Sequence, residues 1–91
     1  MDGRPRFPLG RIRISWKARA MLTFFDALNG LRSHASGEWG LLPEEEWWEN
    51  ELSLVQGHQV TSIHVASNGK RFWIVTEADR SATRILLPSE N

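Results

Sequence analysis

The stretch QVTSIHVASNGKRFWIVTEADRSATRILLP, Gln59 to Pro88, decides the fold. It holds three runs rich in β-branched and aromatic residues, separated by Ser67-Asn68-Gly69 and by Glu77-Ala78-Asp79-Arg80-Ser81. Asn-Gly between such runs is the strongest short signal for a β-hairpin. With Asn68 and Gly69 as the loop residues, Val65 faces Phe72, Ile63 faces Ile74 and His64 faces Trp73. A second hairpin centred on Asp79-Arg80, with a loop of two or four residues, sets Ile74 opposite Ile85, Phe72 opposite Leu87, Trp73 opposite Leu86 and Val75 opposite Arg84. Ile63, Val65, Phe72, Ile74, Ile85 and Leu87 then share a wholly apolar side. Ser62, His64, Trp73, Val75, Glu77, Arg84 and Leu86 share a mixed side that reads as solvated or partner-facing. A slip of one residue would spoil the sorting.

Upstream the periods change. RIRIS (Arg11–Ser15) alternates charged and apolar residues, as a short edge strand does. From Trp16, Met21, Phe24, Phe25, Leu28 and Leu31 recur at helical spacing, predicting an amphipathic helix to about Ala35, kinked or broken at Asn29-Gly30. Ser36 to Pro43 is a loop. PEEEWWENELSLVQG (Pro43–Gly57) has helix start and stop signals: Pro43 at the first helical position, Glu44, Glu45 and Glu46 at the positive dipole end, and Gly57 as terminator. Trp48, Leu52 and Val55 form its predicted core stripe, widened by Trp47 and Leu54. The expected architecture is a small α+β domain over residues 11–91 in β-α-α-β-β-β order, an antiparallel meander with helices on one face, preceded by a flexible basic arm over residues 1–10.

A chain of 91 residues makes one domain. Eleven Lys and Arg balance eleven Asp and Glu, which argues against generic duplex binding. The charge is uneven: Arg4, Arg6, Arg11, Arg13, Lys17 and Arg19 crowd the start, and Glu38, Glu44, Glu45, Glu46, Glu49 and Glu51 form an acidic patch. With no cysteine there is no disulfide framework or Cys-based zinc site. No apolar run approaches membrane-spanning length, and no secretory signal follows the N-terminal arginines. A cytoplasmic home is expected.

The hairpin-tip residues Glu77, Asp79, Arg80, Ser81 and Thr83 could form an acid/base or phosphate-gripping set; turn chemistry explains the same composition. His34, His58 and His64 have no ligand-like spacing, so neither metal nor cofactor is expected. No nucleophile elbow or phosphate loop is present. The segment EWGLLPEEEWWENE, with Trp39, Trp47, Glu44, Glu45, Glu46 and Glu49, is either a Trp-anchored, Glu-rimmed docking face or a capped helix whose tryptophans are core.

Three motifs together, HASGEWG (His34–Gly40), WENELSL (Trp48–Leu54) and FWIVTEADRSATRILLP (Phe72–Pro88), resemble a family of small proteins borne on bacterial plasmids, integrative elements and prophages. The similarity runs from about Leu9 to Glu90 and is densest in the last motif. The family's chains end in Leu-Leu-Pro-x-x-Tyr, where this one ends Pro88-Ser89-Glu90-Asn91. They favour Asp at the place of Glu38 and Pro-Gly near Trp16-Lys17. The resemblance implies a mobile-element setting and marks His34, Gly37, Trp39, Gly40, Asn50, Trp73, Glu77, Asp79, Arg80, Ser81 and Thr83 as characteristic.

The leading functional expectation is a binder that inhibits a bacterial defence system of the CRISPR or restriction type. Its partner would be a nucleic-acid-handling protein complex, with the glutamates imitating phosphates and Trp39 or Trp47 as anchor. One alternative is a RelE/ParE-like ribonuclease using Arg71, Arg80, Arg84, His64 and Glu77. The other is a dimeric regulatory protein pairing through RIRIS or the mixed sheet face; monomer and homodimer both stay open.

Overall fold

The computed structural model describes residues 4–90; Met1 to Gly3 of the expected arm and Asn91 lie outside them. The elements are β1 (Arg11–Ile14), α1 (Trp16–Met21), α2 (Phe24–Ala35), α3 (Glu44–Gln56), β2 (Val60–Val65), β3 (Arg71–Thr76) and β4 (Ala82–Leu86), followed by a 3₁₀ turn over Pro88–Glu90. This is the expected α+β class with one helix more. The sheet order is β1-β4-β3-β2. β2, β3 and β4 form the antiparallel meander, but β1 runs parallel to β4, so the sheet is mixed.

The extra helix arises at Leu22-Thr23, not at Asn29-Gly30. Thr23 and Asp26 form a capping box, with the Asp26 amide on Thr23 Oγ1 and the Thr23 amide on Asp26 Oδ2, both at 3.0 Å. Gly30 stays inside α2 because a side chain has no room there: a Cβ would sit 2.8 Å from Cε2 of Phe72. The Phe72 ring thus packs directly on helix backbone.

α1 and α2 cover one sheet face, where Ala18, Ala27, Phe72, Ile74, Ile85 and Leu87 form the main core. α3 lies along the β2 edge, and Trp47 and Leu54 pack on a second core of Phe7, Trp39 and Val60. The predicted α3 stripe is therefore rotated. Trp48 is 66% exposed, Leu52 57% and Val55 85%. Residues 4–10 are no loose arm either. Phe7 is buried, the Arg6 amide donates to the Ala35 carbonyl at 2.7 Å, and the Arg6 guanidinium grips Glu51 at 2.8 and 2.9 Å.

The β3–β4 register is as expected, with Ile74 opposite Ile85 and Val75 opposite Arg84. The β2–β3 register is one residue off: His64 faces Phe72, Ser62 faces Ile74 and Val60 faces Thr76. The loop uses three residues, not two. Gly69, at φ 84°, donates to the Ala66 carbonyl at 2.9 Å, and Ala66 donates to Lys70 at 2.8 Å. α2 selects this loop, since Asp26 accepts from the Ser67 amide at 2.9 Å and from its hydroxyl at 3.1 Å. The slip turns Ser62 and His64 toward the helices and Ile63 and Val65 away from them.

Candidate functional site

The second hairpin brings Glu77, Asp79, Arg80 and Ser81 together, and each has work within the fold. Glu77 donates its amide to Ala82 at 3.0 Å across a four-residue loop, and the Arg80 amide returns to the Glu77 carbonyl at 2.9 Å. The hydroxyl and amide of Ser81 bond the Asp79 carboxylate and hold it below its ordinary range. Arg80 stands in the left-handed region at φ 62°. From there its Nη1 donates to the carbonyls of His58 at 2.7 Å and Glu77 at 3.0 Å, and its Nη2 to that of Ser53 at 3.3 Å. Its guanidinium also covers the Phe7 ring, 5.5 Å from the centroid. Arg80 thus staples the negative end of α3 to the sheet, and a phosphate would have to displace these bonds. Glu77 pairs with Arg84 at 3.0 Å on the surface.

Thr83 is not at the tip at all but belongs to a buried polar chain. Thr83 Oγ1 donates to the Leu9 carbonyl at 2.7 Å, so it must accept from Thr76 Oγ1 at 2.7 Å. Thr76 in turn must accept from His34 Nε2 at 2.8 Å. With His34 neutral, its Nδ1 accepts from Ser62 Oγ at 2.6 Å, and Ser62 accepts from His64 Nε2 at 2.8 Å. Burial, with His64 and Arg80 nearby, pushes His34 down to about 3. Burial pushes His64 down to about 4. Both imidazoles are therefore neutral, as the chain of donors requires. Ser62 donates to His34 as a nucleophile does to its base, but both are fully buried, so no substrate reaches the pair. The arrangement seals the space between α2 and the sheet. Among the described residues, no buried side-chain polar atom is left without a partner.

Of the expected tryptophan anchors, Trp39 is fully buried and Trp47 is half-buried against the same core. Trp39 stacks on Phe7 at 6.0 Å between centroids, meets His34 edge-on at 5.5 Å, and donates Nε1 to Glu51 at 3.1 Å. On the outer edge of β2, the Trp39 carbonyl accepts from the Ile63 amide at 3.2 Å and the Leu41 amide donates to the Ile63 carbonyl at 2.9 Å. Asn50 does the same for Thr61: Nδ2 donates to its carbonyl at 2.7 Å and Oδ1 accepts its amide at 3.2 Å. One side chain and one loop thus close an edge that would otherwise be open for pairing.

Large apolar side chains remain exposed on two sides of the domain: Trp16, Phe24 and Phe25 on α1 and α2, and the outer side of α3. Trp48, Leu52 and Val55 lie at i, i+4 and i+7, a continuous apolar ridge. Glu44, Glu45, Glu46 and Glu49 occupy the first turns of the helix, and none of their carboxylates has a hydrogen-bond or ion-pair partner among the described residues. On the other flank of α3, Glu46, Glu49 and Asn50 face Ile63 and Trp73 across a cleft of about 450 Å³.

No family model, curated protein or solved structure matches this chain.

The residues named for a ribonuclease do not assemble. His64 points to the helix-covered face and Arg71 and Arg84 to the opposite one, while Arg80 is held by carbonyls. Residues that did not stand out individually are Ser62, Thr76 and Glu51, partners of His34 and Trp39. Asn50 had a local signal, being a polar residue between Trp47 and Leu54 on the inward side of α3.

Proposed function

We propose that the chain is a protein-binding inhibitor that docks through the outer side of α3. The observation that carries this is the solvent-facing ridge of Trp48, Leu52 and Val55 on a helix whose first turns carry four unpaired carboxylates. An exposed tryptophan on a rigid helix is the residue type most often found at the energetic centre of an interface, worth about 2–4 kcal/mol. Its rim of carboxylates suits an apolar cleft bordered by Lys and Arg, the surface that a nucleic-acid-handling protein offers to a phosphate backbone. The mobile-element resemblance makes such a protein a component of a bacterial defence system, a CRISPR effector or restriction enzyme. Trp48 takes the anchoring role first given to Trp39 or Trp47, and Glu44, Glu45, Glu46 and Glu49 keep theirs.

The test is recovery of a targeted plasmid in bacteria with an active CRISPR or restriction system. Wild type should raise recovery. Trp48→Ala should abolish the effect without altering thermal unfolding, since the ring is already in solvent. Replacing the four glutamates with glutamine should weaken protection and remove its salt dependence. Protection that survives Trp48→Ala would eliminate α3 as the contact. An absence of protection against every nuclease-based defence tried would sink the inhibitor reading.

A further inference from the structure

The sheet has two edges, and only the β2 edge is closed. β1 has β4 on one side and no strand on the other. Hydrogen bonds leave a strand from alternate residues. The amides of Arg11 and Ser15 go to the carbonyls of Ser81 and Ile85, at 2.9 and 3.0 Å. The N–H and C=O groups of Ile12 and Ile14 therefore point outward, and no described residue bonds to them.

The side chains flanking this edge sort by chemistry. Ile12 and Ile14, 41% and 38% exposed, share the face of Thr83 and Ile85. Ile14 continues into a cleft of about 330 Å³ with Leu22, Phe24 and Ala27, bordered by Arg19 and Thr23, and Phe25 extends that surface edge-on to Phe24 at 5.5 Å. Arg11 and Arg13 lie on the opposite face, with Arg13 beside Arg84. Arg84 is neutralised by Glu77, whereas Arg11 and Arg13 have no side-chain partner among the described residues. Short, charged edge strands usually repel further pairing. Here one face of the edge is mostly apolar and open, with a cleft of side-chain size next to it.

We propose that β1 receives an extended acidic segment of a protein partner by strand addition, at a surface separate from the α3 ridge. The added strand would hydrogen-bond Ile12 and Ile14, set apolar residues over them and into the Phe24 cleft, and place carboxylates against Arg11 and Arg13. A second copy of this chain fits less well. Two antiparallel RIRI strands would bring the arginines of both onto one face, like charge against like.

The experiment titrates isotope-labelled protein with a short synthetic peptide alternating glutamate with valine and phenylalanine, and with the same peptide carrying lysine for glutamate. The acidic peptide should shift the Ile12 and Ile14 amide signals, slow their exchange, and bind at least about tenfold tighter than the lysine form. Ile12→Pro removes an outward N–H and leaves the β4 ladder intact, so it should weaken binding about tenfold. Arg11→Glu with Arg13→Glu should reverse the peptide preference, which keeps the idea testable if Ile12→Pro disturbs the fold. Equal binding of the two peptides, no binding, or unmoved Ile12 and Ile14 signals would overturn it. So would exchange protection at Ile12 and Ile14 that grows with protein concentration alone, which would assign the edge to a second copy.

Discussion

Acidification should destabilise this domain well above the pH at which its carboxylates titrate. His34 and His64 are held neutral by burial, with pKa values of about 3 and about 4 against an ordinary 6.5. Above pH 6.5 both states are unprotonated and the fold is undisturbed. Below it the unfolded chain takes up protons that the folded chain refuses, so stability falls as pH falls, until the folded values are reached. At pH 5 each imidazole has lost about 1.5 pH units of this difference, or about 2 kcal/mol, and the pair about 4 kcal/mol. That is a large part of the roughly 5–15 kcal/mol that holds a small domain, and lowers its midpoint temperature by roughly 15–30 °C. The lowered carboxylates Asp26, Glu51, Asp79 and Glu90 act in the same direction, but only as pH drops below the ordinary range of acids. The assay is urea unfolding followed by tryptophan fluorescence between pH 5 and 7.5. The stability curve should approach a slope of two protons per molecule below pH 6, and His64→Gln should reduce that slope to one. A curve flat from pH 7 to 5, or one unchanged by His64→Gln, would refute the assignment of neutral rings and with it the directed chain from His64 to Leu9.

Three stability predictions complete the picture, each read by chemical denaturation. Asn50→Ala leaves the Thr61 amide and carbonyl without their partner and should destabilise by about 2–4 kcal/mol, although Asn50 belongs to no apolar core. Gly30→Ala, normally worth about 1 kcal/mol in favour of a helix, should instead destabilise by about 1–3 kcal/mol, because its methyl meets the Phe72 ring. Arg80→Ala should destabilise by about 2–3 kcal/mol, with Arg80→Gly milder by about 1 kcal/mol because glycine relieves the φ of 62°; neither should abolish plasmid protection under conditions where the variant is folded.

Local patterns in the sequence carry the β3–β4 pairing, since loops of two or four residues give the same partners and Ile74 must meet Ile85 in either. The β2–β3 pairing depended on whether Gly69 ends a two- or a three-residue loop, and that choice is made by Asp26, some forty residues earlier. The break at Thr23 had a local mark in Thr-x-x-Asp, yet Asn29-Gly30 offered the louder breaker signal. Gly30 serves Phe72, a partner that helical spacing does not reveal. In α3 the more continuous apolar line, Trp48, Leu52 and Val55, is the one left in solvent, and Trp47 and Leu54, which only widened it in the sequence, point inward. Asn50 docking on the β2 edge decides this orientation. Hence Trp39 and Trp47 carried the right chemistry for an anchor and the wrong orientation, while the acidic rim needed no tertiary knowledge to be placed in solvent.

The pairing of β1 with β4 has a consequence in time. Thr83 bonds the carbonyl of Leu9 across 74 residues of chain, and β1 has no other strand beside it. At roughly 5–20 residues per second, a ribosome adds that length in roughly 4–15 s. For that interval the nascent RIRI segment has emerged with both its edges bare, so whatever captures it during translation competes directly with the last strand to be made.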